Sequence, residues 1–167
     1  MKDYALMQTG APGLVAFDLD FTLWDAGGLW CDCTTPPYHR NGQGQVFDDA
    51  GRQIKLYPDV MSILNQLQKL GIPVALASRT EQPGWANELT HLLGMDPFVQ
   101  YREIYPGRKT RHLSQISADS GVALRDIVFF DDEHRNIHDT QSMGVKAIHV
   151  TAGLQWTEFT EATGIPA

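Results

Sequence analysis

Short apolar runs that end on polar residues alternate with amphipathic segments along this chain. Three of the runs are too short for helices and are typical of buried strands: Leu14–Phe17, Val74–Ala77 and Ile127–Phe130. The spacing of apolar residues predicts helices between and after them, over residues 58–70, 83–93, 109–120 and 136–143. Because strands and helices alternate, the connections should be right-handed crossovers between parallel strands. The pattern therefore predicts an α/β fold.

Weaker patterns complete the expected sheet. We predict a short strand at 98–101, a last core strand at 145–150 and a docked terminal helix over 154–163. Together with the stronger elements they give a three-layer, Rossmann-like, doubly wound parallel sheet with helices on both faces.

The stretch 25–56 has a different character. It is polar, rich in Gly and Pro, and lacks helical periodicity. Residues 45–48 and 52–55 have the pattern of a small hairpin around 49–51. Since long loops of compact domains usually carry function, we expect a minimal flap here over the functional end of a single domain, 1–167.

Charge and hydropathy disfavour two classes of partner. The chain has 167 residues and a formal net charge of −7, whereas a long nucleic-acid groove needs a basic stripe. No apolar run approaches the roughly 18 residues of a membrane span. The N-terminal residues 1–13 are too polar for a signal peptide. We therefore expect a cytoplasmic protein that binds neither nucleic acid nor membrane.

The chain has two cysteines, Cys31 and Cys33, with one residue between them. This spacing disfavours a structural disulfide and predicts reduced thiols. A zinc site that also uses His39 is the alternative, although no second ligand pair lies at zinc-finger spacing.

Polar residues follow the three strong strands at the point where each strand ends. Asp18 follows the first, Ser78 the second, and Asp131 and Asp132 the third. One acid at a strand end is usually a helix cap, but ligands of parallel sheets bind beyond the carboxyl ends of the strands. Carboxylates gathered there repel each other unless a cation offsets their charge. All-oxygen ligands favour magnesium over zinc.

A motif makes this pattern specific. Asp18-Leu19-Asp20-Phe21-Thr22 resembles the DxDxT signature of phosphatases in the haloacid-dehalogenase-like (HAD-like) superfamily. Its other three motifs follow in order as Ser78, Lys109 and the Asp131-Asp132 pair. Further segments are similar to the small magnesium-dependent phosphatases of that superfamily: 17–24, 56–58, 77–80, 102–107 and 129–136. The chain departs from that group at 25–29, where it carries extra residues.

The resemblance implies a phosphatase that uses Mg²⁺. Asp18 would be the nucleophile, forming an aspartyl-phosphate, and Asp20 the general acid and then base. The Asp18 carboxylate, the Asp20 carbonyl and Asp132 would hold the metal, with Asp131 behind them in the second coordination shell or near Lys109. Sequence alone leaves open which member of the 131–132 pair touches the metal.

The same resemblance implies a set of phosphate and substrate contacts. Ser78, Lys109 and the backbone N–H groups of Leu19, Asp20 and Arg79 would bind the phosphoryl oxygens. Trp30 resembles a tryptophan that lines the substrate site, and the Arg79 side chain is a further candidate.

Two other functions are compatible with an acidic cluster on this kind of sheet. One is a phosphate-accepting receiver module, but receivers place the acidic pair on the first strand and the accepting aspartate on a later one. The other is a catalytically silent binding domain, which intact motifs disfavour. Since 25–56 is too short for a helical cap domain, we expect an open site. The substrate would be a phosphotyrosine or other phosphoprotein side chain, or a phosphosugar.

Overall fold

The computed structural model describes residues 10–167, so most of the N-terminal segment 1–13 lies outside the described part. The strands, in chain order, are β1 (Leu14–Phe17), β2 (Trp24–Asp25), β3 (His39–Arg40), β4 (Val46–Phe47), β5 (Gln53–Leu56), β6 (Val74–Ser78), β7 (Tyr101–Ile104), β8 (Ile127–Asp131) and β9 (Lys146–His149). The helices are α1 (Val60–Leu70), α2 (Pro83–Leu92), α3 (Lys109–Ser120), α4 (His134–Gln141) and α5 (Trp156–Thr163). None of these helices is long and apolar enough to cross a membrane.

Five strands form the central parallel sheet, in the order β7-β6-β1-β8-β9. The chain moves outwards from β1 to β6 and β7, then returns to the other side of β1 for β8 and β9. Strand order thus reverses next to β1, and open α/β sheets bind ligands where this reversal occurs.

Both faces of the central sheet are covered by helices. Val15 and Phe17 of β1 pack in a cluster with α1, α2 and α5. Leu14 and Ala16, the alternate residues of the same strand, pack with α3 and α4. Because side chains of a strand alternate between faces, this division gives the predicted three layers. The predicted α/β fold is confirmed.

One predicted strand is misplaced. The strand expected at 98–101 is β7, which begins at Tyr101, while Asp96–Phe98 form a short 3-10 turn. Pro97 explains the shift, since proline suits the start of a helical turn and cannot donate to a ladder. The strong strands and all helices lie within about two residues of their predicted bounds, as expected for element ends.

Residues 25–56 contribute to a second, four-stranded sheet in the order β2-β5-β4-β3. The predicted hairpin is the antiparallel pair β4 and β5, in which Val46 lies opposite Ile54. A 3-10 turn, Cys31–Cys33, precedes it. This segment, which the structure describes throughout, contains no α-helix, so it forms a flap and not a helical cap.

Asp48 organises the turn of this flap. Its buried carboxylate accepts hydrogen bonds from the backbone N–H groups of Thr35 (3.0 Å), Ala50 (3.1 Å) and Arg52 (2.7 Å). Burial alone would raise the pKa of Asp48, but these amides and the Arg52 guanidinium outweigh it and hold the pKa below its ordinary value of 3.8. Asp48 therefore stabilises the fold in its ionised form.

We expect Asp48→Asn to lower the free energy of unfolding at pH 7 by about 1–3 kcal/mol, because a buried acceptor is lost. Since the folded-state pKa is depressed, the contribution is present above the ordinary pKa and is lost as pH falls through the folded-state value. The difference between wild type and variant should therefore shrink from pH 7 to pH 3 in urea titrations. Asp49→Asn, at the exposed neighbouring position, is the control. A difference that does not change with pH would contradict the role of the ionised carboxylate.

Candidate active site

The three predicted strand ends meet at one edge of the sheet, because β1 lies between β6 and β8. Asp18, Ser78, Lys109 and Asp132 line one open cavity of about 510 Å³ at this edge. The residues that the sequence placed on separate elements thus share one site.

Lys109 is the cation at the centre of this site. It is the first residue of α3 and only 1% exposed. Its Nζ donates to Asp18 Oδ1 (2.8 Å), Asp131 Oδ2 (2.9 Å) and the carbonyl of Ala77 (2.6 Å). Burial alone would lower the pKa of Lys109, but the two carboxylates outweigh burial and raise it. A cation at a helix N-terminus opposes the helix dipole, so these carboxylates, and not helix stability, account for its position.

Asp131 is fully engaged by protein donors. Oδ2 accepts from Lys109 and from Nδ2 of Asn136 (3.0 Å), and Oδ1 accepts from the N–H of Glu133 (2.8 Å). Among residues 10–167, the Asp132 carboxylate is hydrogen-bonded only by its own N–H and the Asp18 carboxyl group, and it lines the cavity. The geometry therefore supports Asp132 as the direct metal ligand and Asp131 as the residue that orients Lys109.

The carboxylates of Asp18, Asp131 and Asp132 each bring one oxygen within 4.8 Å of the other two. Burial raises the pKa of Asp18 to about 7, with Lys109 opposing the rise and Asp132 adding to it. Burial also raises the pKa of Asp132 to about 6. The positive charge of Lys109 alone is therefore not enough to favour the ionised forms of these carboxyl groups. An oxygen-only set of this kind fits Mg²⁺, whose charge would offset the repulsion.

Several donors at this edge remain available for an anion. Within the described chain, the N–H groups of Leu19, Asp20 and Arg79 donate to no protein acceptor. Ser78 is buried at the cavity wall, where its Oγ accepts from the N–H of Thr80 (3.3 Å) and keeps its own proton for another acceptor. These groups could bind an anion at this edge, and their role as phosphoryl contacts stays a prediction.

The two candidate substrate residues occupy different places. The Arg79 guanidinium lines the cavity but donates to Oδ1 of Asn136 (3.2 Å) and lies 4.0 Å from the Glu133 carboxylate. Trp30 lines the cavity mouth and is 56% exposed, next to the exposed Leu29. Exposed side chains of this size are uncommon, so Trp30 stays a candidate for contact with a ligand.

Sequence reasoning missed a link between the flap and the strand end. Asp32 accepts hydrogen bonds from the hydroxyl of Thr80 and the N–H of Glu81 (3.0 Å), directly after β6. No periodic pattern could have revealed this contact, because it joins two loops that lie 48 residues apart.

The zinc alternative lacks geometric support. Among the described residues, Cys31, Cys33 and His39 do not form a group whose side chains are close enough to share one metal ion. Both cysteines are free thiols. Burial and the nearby Asp20 raise the pKa of the Cys31 thiol, which keeps it protonated.

Comparison with known sequences places the chain in a family. The sequence profile described as acid phosphatase matches residues 10–164. The chain belongs to the acid phosphatase family. Human magnesium-dependent phosphatase 1 is similar to this family member, with 42% identity over 144 residues, 86% of this chain and 80% of the human one. A HAD-like hydrolase superfamily protein of Schizosaccharomyces pombe is 36% identical over 146 residues, which are 80% and 83% of the two chains.

Solved structures share the fold of this acid phosphatase family member. A HAD-like family hydrolase from Streptococcus pneumoniae aligns with a TM-score of 0.64 at 13% identity, covering 92% of this chain and 91% of the other. A HAD family enzyme from Bacteroides thetaiotaomicron, in complex with magnesium and inorganic phosphate, gives a TM-score of 0.63 at 14% identity, covering 87% and 97%. The predicted HAD-like fold is confirmed, and the phosphatase family favours an enzyme over a receiver or a silent domain.

Proposed function

We propose that this chain hydrolyses phosphate monoesters by way of an aspartyl-phosphate on Asp18, with Asp20 as general acid and base. The class of enzyme, a magnesium-dependent phosphatase of the HAD-like superfamily, follows from the family match and the 42% identical relative of that name. One observation supports the assignment of roles: Lys109 pairs with Asp18, and the Asp132 carboxylate beside it faces the cavity.

In the first step, an oxygen of Asp18 forms a bond to phosphorus while the bond between phosphorus and the ester oxygen breaks. The Asp20 carboxyl gives its proton to the departing oxygen, which leaves as an alcohol. Burial raises the pKa of Asp20 to about 6, with Trp24 and Cys31 opposing the rise through hydrogen bonds. This pKa leaves a usable fraction of the protonated form near neutral pH.

In the second step, water attacks phosphorus and Asp20, now a carboxylate, takes the proton of that water. The bond between phosphorus and the Asp18 oxygen breaks, which releases inorganic phosphate and restores Asp18. Both aspartates end the cycle as they began it, so the protonation of Asp20 couples the two steps.

Two positive groups keep the attack of a carboxylate on a phosphate dianion feasible. Lys109 is already bound to the Asp18 carboxylate and lies at the wall of the cavity. Mg²⁺, held by the Asp18 and Asp132 carboxylates and the Asp20 carbonyl, would neutralise negative charge on the phosphoryl oxygens. Ser78 and the N–H groups of Leu19, Asp20 and Arg79 would bind those oxygens in the transition state.

The flap supports a substrate whose phosphate is accessible. Residues 25–56 form a small sheet beside the cavity without a helical cap, and Trp30 stands exposed at the mouth. We propose that these residues belong to the same single domain as the catalytic sheet. A phosphotyrosine or other phosphoprotein side chain, or a phosphosugar, could reach Asp18 from this side. Comparing kcat/KM for phosphotyrosine peptides and phosphosugars, with Trp30→Ala as the variant, would identify the preferred class.

Metal removal should abolish activity. EDTA should reduce hydrolysis of p-nitrophenyl phosphate to background, and Mg²⁺ should restore it. Asp132→Ala should raise the Mg²⁺ concentration for half-maximal activity by more than about tenfold, because it removes a ligand. Asp126→Ala, at the opposite end of β8, should leave that concentration unchanged. Activity that survives EDTA, or an unchanged Mg²⁺ requirement in Asp132→Ala, would refute this metal site.

A further inference from the structure

The turn after β1 brings Trp24 back over Asp20. The carbonyl of Leu19 accepts from the N–H groups of Thr22 (3.1 Å) and Leu23 (2.8 Å), which reverses the chain within four residues. Trp24 then begins β2, where it pairs with Leu56, and it is fully buried. Its indole is therefore held on both sides, by the core and by the small sheet.

One oxygen of Asp20 accepts two protein hydrogen bonds. Nε1 of Trp24 donates to Asp20 Oδ1 at 2.7 Å, and the N–H of Cys31 donates to the same oxygen at 2.9 Å. No N–H group of the described chain donates to Oδ2, and Asp20 lines the catalytic cavity; the Cys31 thiol is a further weak hydrogen-bond partner of this carboxyl group. The two carboxyl oxygens thus differ: one is bound by the protein and the other is left for a ligand.

The second donor is fixed from the far side of the cavity. Cys31 begins the 3-10 turn Cys31–Cys33, and Asp32 in that turn accepts from the Thr80 hydroxyl and the Glu81 N–H. Thr80 also donates its N–H to Oγ of Ser78 (3.3 Å). Hydrogen bonds therefore run from the strand end that carries Ser78, through the flap, to Asp20.

Asp20, Cys31 and Asp32 are residue types that bind metal ions, but hydrogen bonds from the protein already occupy most of their carboxylate oxygens. Asp20, Cys31 and Asp32 bring one ligand atom each within 4.8 Å of one another. However, Oδ1 of Asp20 and both oxygens of Asp32 are occupied by protein donors. A hydrogen-bonded support for Asp20 explains these contacts without an ion.

We propose that Trp24 is a positioning residue for proton transfer: with the Cys31 amide, which Asp32 holds in place, it occupies Oδ1 of Asp20 and so presents Oδ2 to the leaving-group oxygen. This inference rests on the proposed role of Asp20. A general acid must lie within hydrogen-bond reach of the atom it protonates, and a displacement of about 1 Å can cost about 100-fold in rate. Fixing one oxygen limits rotation of the carboxyl group, which keeps the other in reach.

The proposal is tested by measuring how kcat/KM of each variant depends on the leaving group of the ester. A 2,4-dinitrophenolate leaves without protonation, whereas an alkoxide needs the proton from Asp20. We therefore compare kcat/KM, which reports transfer to Asp18, across aryl and alkyl phosphate monoesters. Trp24→Phe should lower kcat/KM by about tenfold or more for alkyl esters but by less than about threefold for the dinitrophenyl ester. Trp156→Phe is the matched control, because its indole donates to Ser62 on the surface.

A further variant, Asp20→Asn, separates a failure of the positioning role from a failure of the proposed function. Asp20→Asn reports on the proposed function itself and should show the steepest dependence on the leaving group. If kcat/KM of Asp20→Asn depends on the leaving group while Trp24→Phe lowers kcat/KM equally for all esters, the positioning role is wrong and the proposed function stands. If Asp20→Asn itself lacks the dependence, both are wrong.

Trp24→Phe leaves a space in the core, so Asp32→Ala supplies a second route to the same question. This substitution releases the Cys31 turn without changing a fully buried aromatic side chain. Like Trp24→Phe, it should lower kcat/KM more for alkyl esters than for the dinitrophenyl ester. An equal loss for every ester in Asp32→Ala would overturn the link through Cys31.

Discussion

Replacing Asp18 by asparagine should lower kcat for p-nitrophenyl phosphate by at least about 10⁴-fold, as expected when the group that forms the covalent bond is removed. The amide is neutral and a poor nucleophile, while its size and shape are almost those of the carboxylate. In the variant Lys109 keeps its ion pair with Asp131, and burial and Asp132 disfavour the ionised form of Asp18, so the variant should stay folded. A cooperative thermal unfolding transition in EDTA at pH 8 would show this.

Asp119→Asn is the control for this comparison, because Asp119 lies on the exposed face of α3, where its carboxylate accepts from Gln115 and from no other residue of 10–167. It should retain full activity. More than about one hundredth of wild-type activity in folded Asp18→Asn, confirmed in Asp18→Ala, would show that another group attacks phosphorus.

Lys109→Met should affect both activity and stability. The substitution leaves the buried carboxylates of Asp18 and Asp131 without their shared cation, and breaking a buried ion pair costs about 3–5 kcal/mol. Activity should fall by about 10³-fold or more, because positive charge next to the transferring phosphoryl group is lost. Urea titrations in EDTA and in Mg²⁺ should show that the metal recovers part of the lost stability, since it offsets the same carboxylates.

Lys146→Met provides the matched control at a more exposed lysine, whose Nζ donates to the carbonyl of Ala162. It should change activity by less than about twofold and stability by less than about 1 kcal/mol. Equal losses in the two lysine variants would contradict a special role for Lys109.

The gathering of the candidate site residues at one edge was predictable because these residues follow apolar strands. Asp18, Ser78 and Asp131 come after runs that must be buried on both faces, and neighbouring parallel strands end at the same edge. Lys109 was predictable only through the order of the motifs, since a lysine at the start of a helix is normally solvated. Its burial depends on the carboxylates of Asp18 and Asp131, which lie at the ends of two different strands.

The choice between Asp131 and Asp132 could not be made from sequence. The two residues are identical in type and adjacent, and only the partners from α3 and α4 distinguish them. Lys109 and Asn136 satisfy Asp131, which leaves the next carboxylate to face the cavity.

The flap was the least predictable region. Strands β2 and β3 have two residues each, too few for a pattern of alternation. The contact between Asp32 and Thr80 joins loops distant in sequence, so it leaves no periodic signal. The misplaced strand β7 is an edge strand of mixed polarity, where the apolar signal is weakest.

Chemical trapping of the phosphorylated residue tests the central claim most directly. Protein mixed with excess phosphate ester in Mg²⁺ is quenched in acid and reduced with borodeuteride, which converts an acyl phosphate of aspartate into deuterated homoserine. Fragment ions from the peptide that carries Asp18 and Asp20 then locate the label. We expect deuterated homoserine at position 18, dependent on substrate and absent from Asp18→Asn. Label at Asp20 or Asp132, or turnover with no labelled aspartate under conditions that trap a known aspartyl-phosphate, would contradict the mechanism.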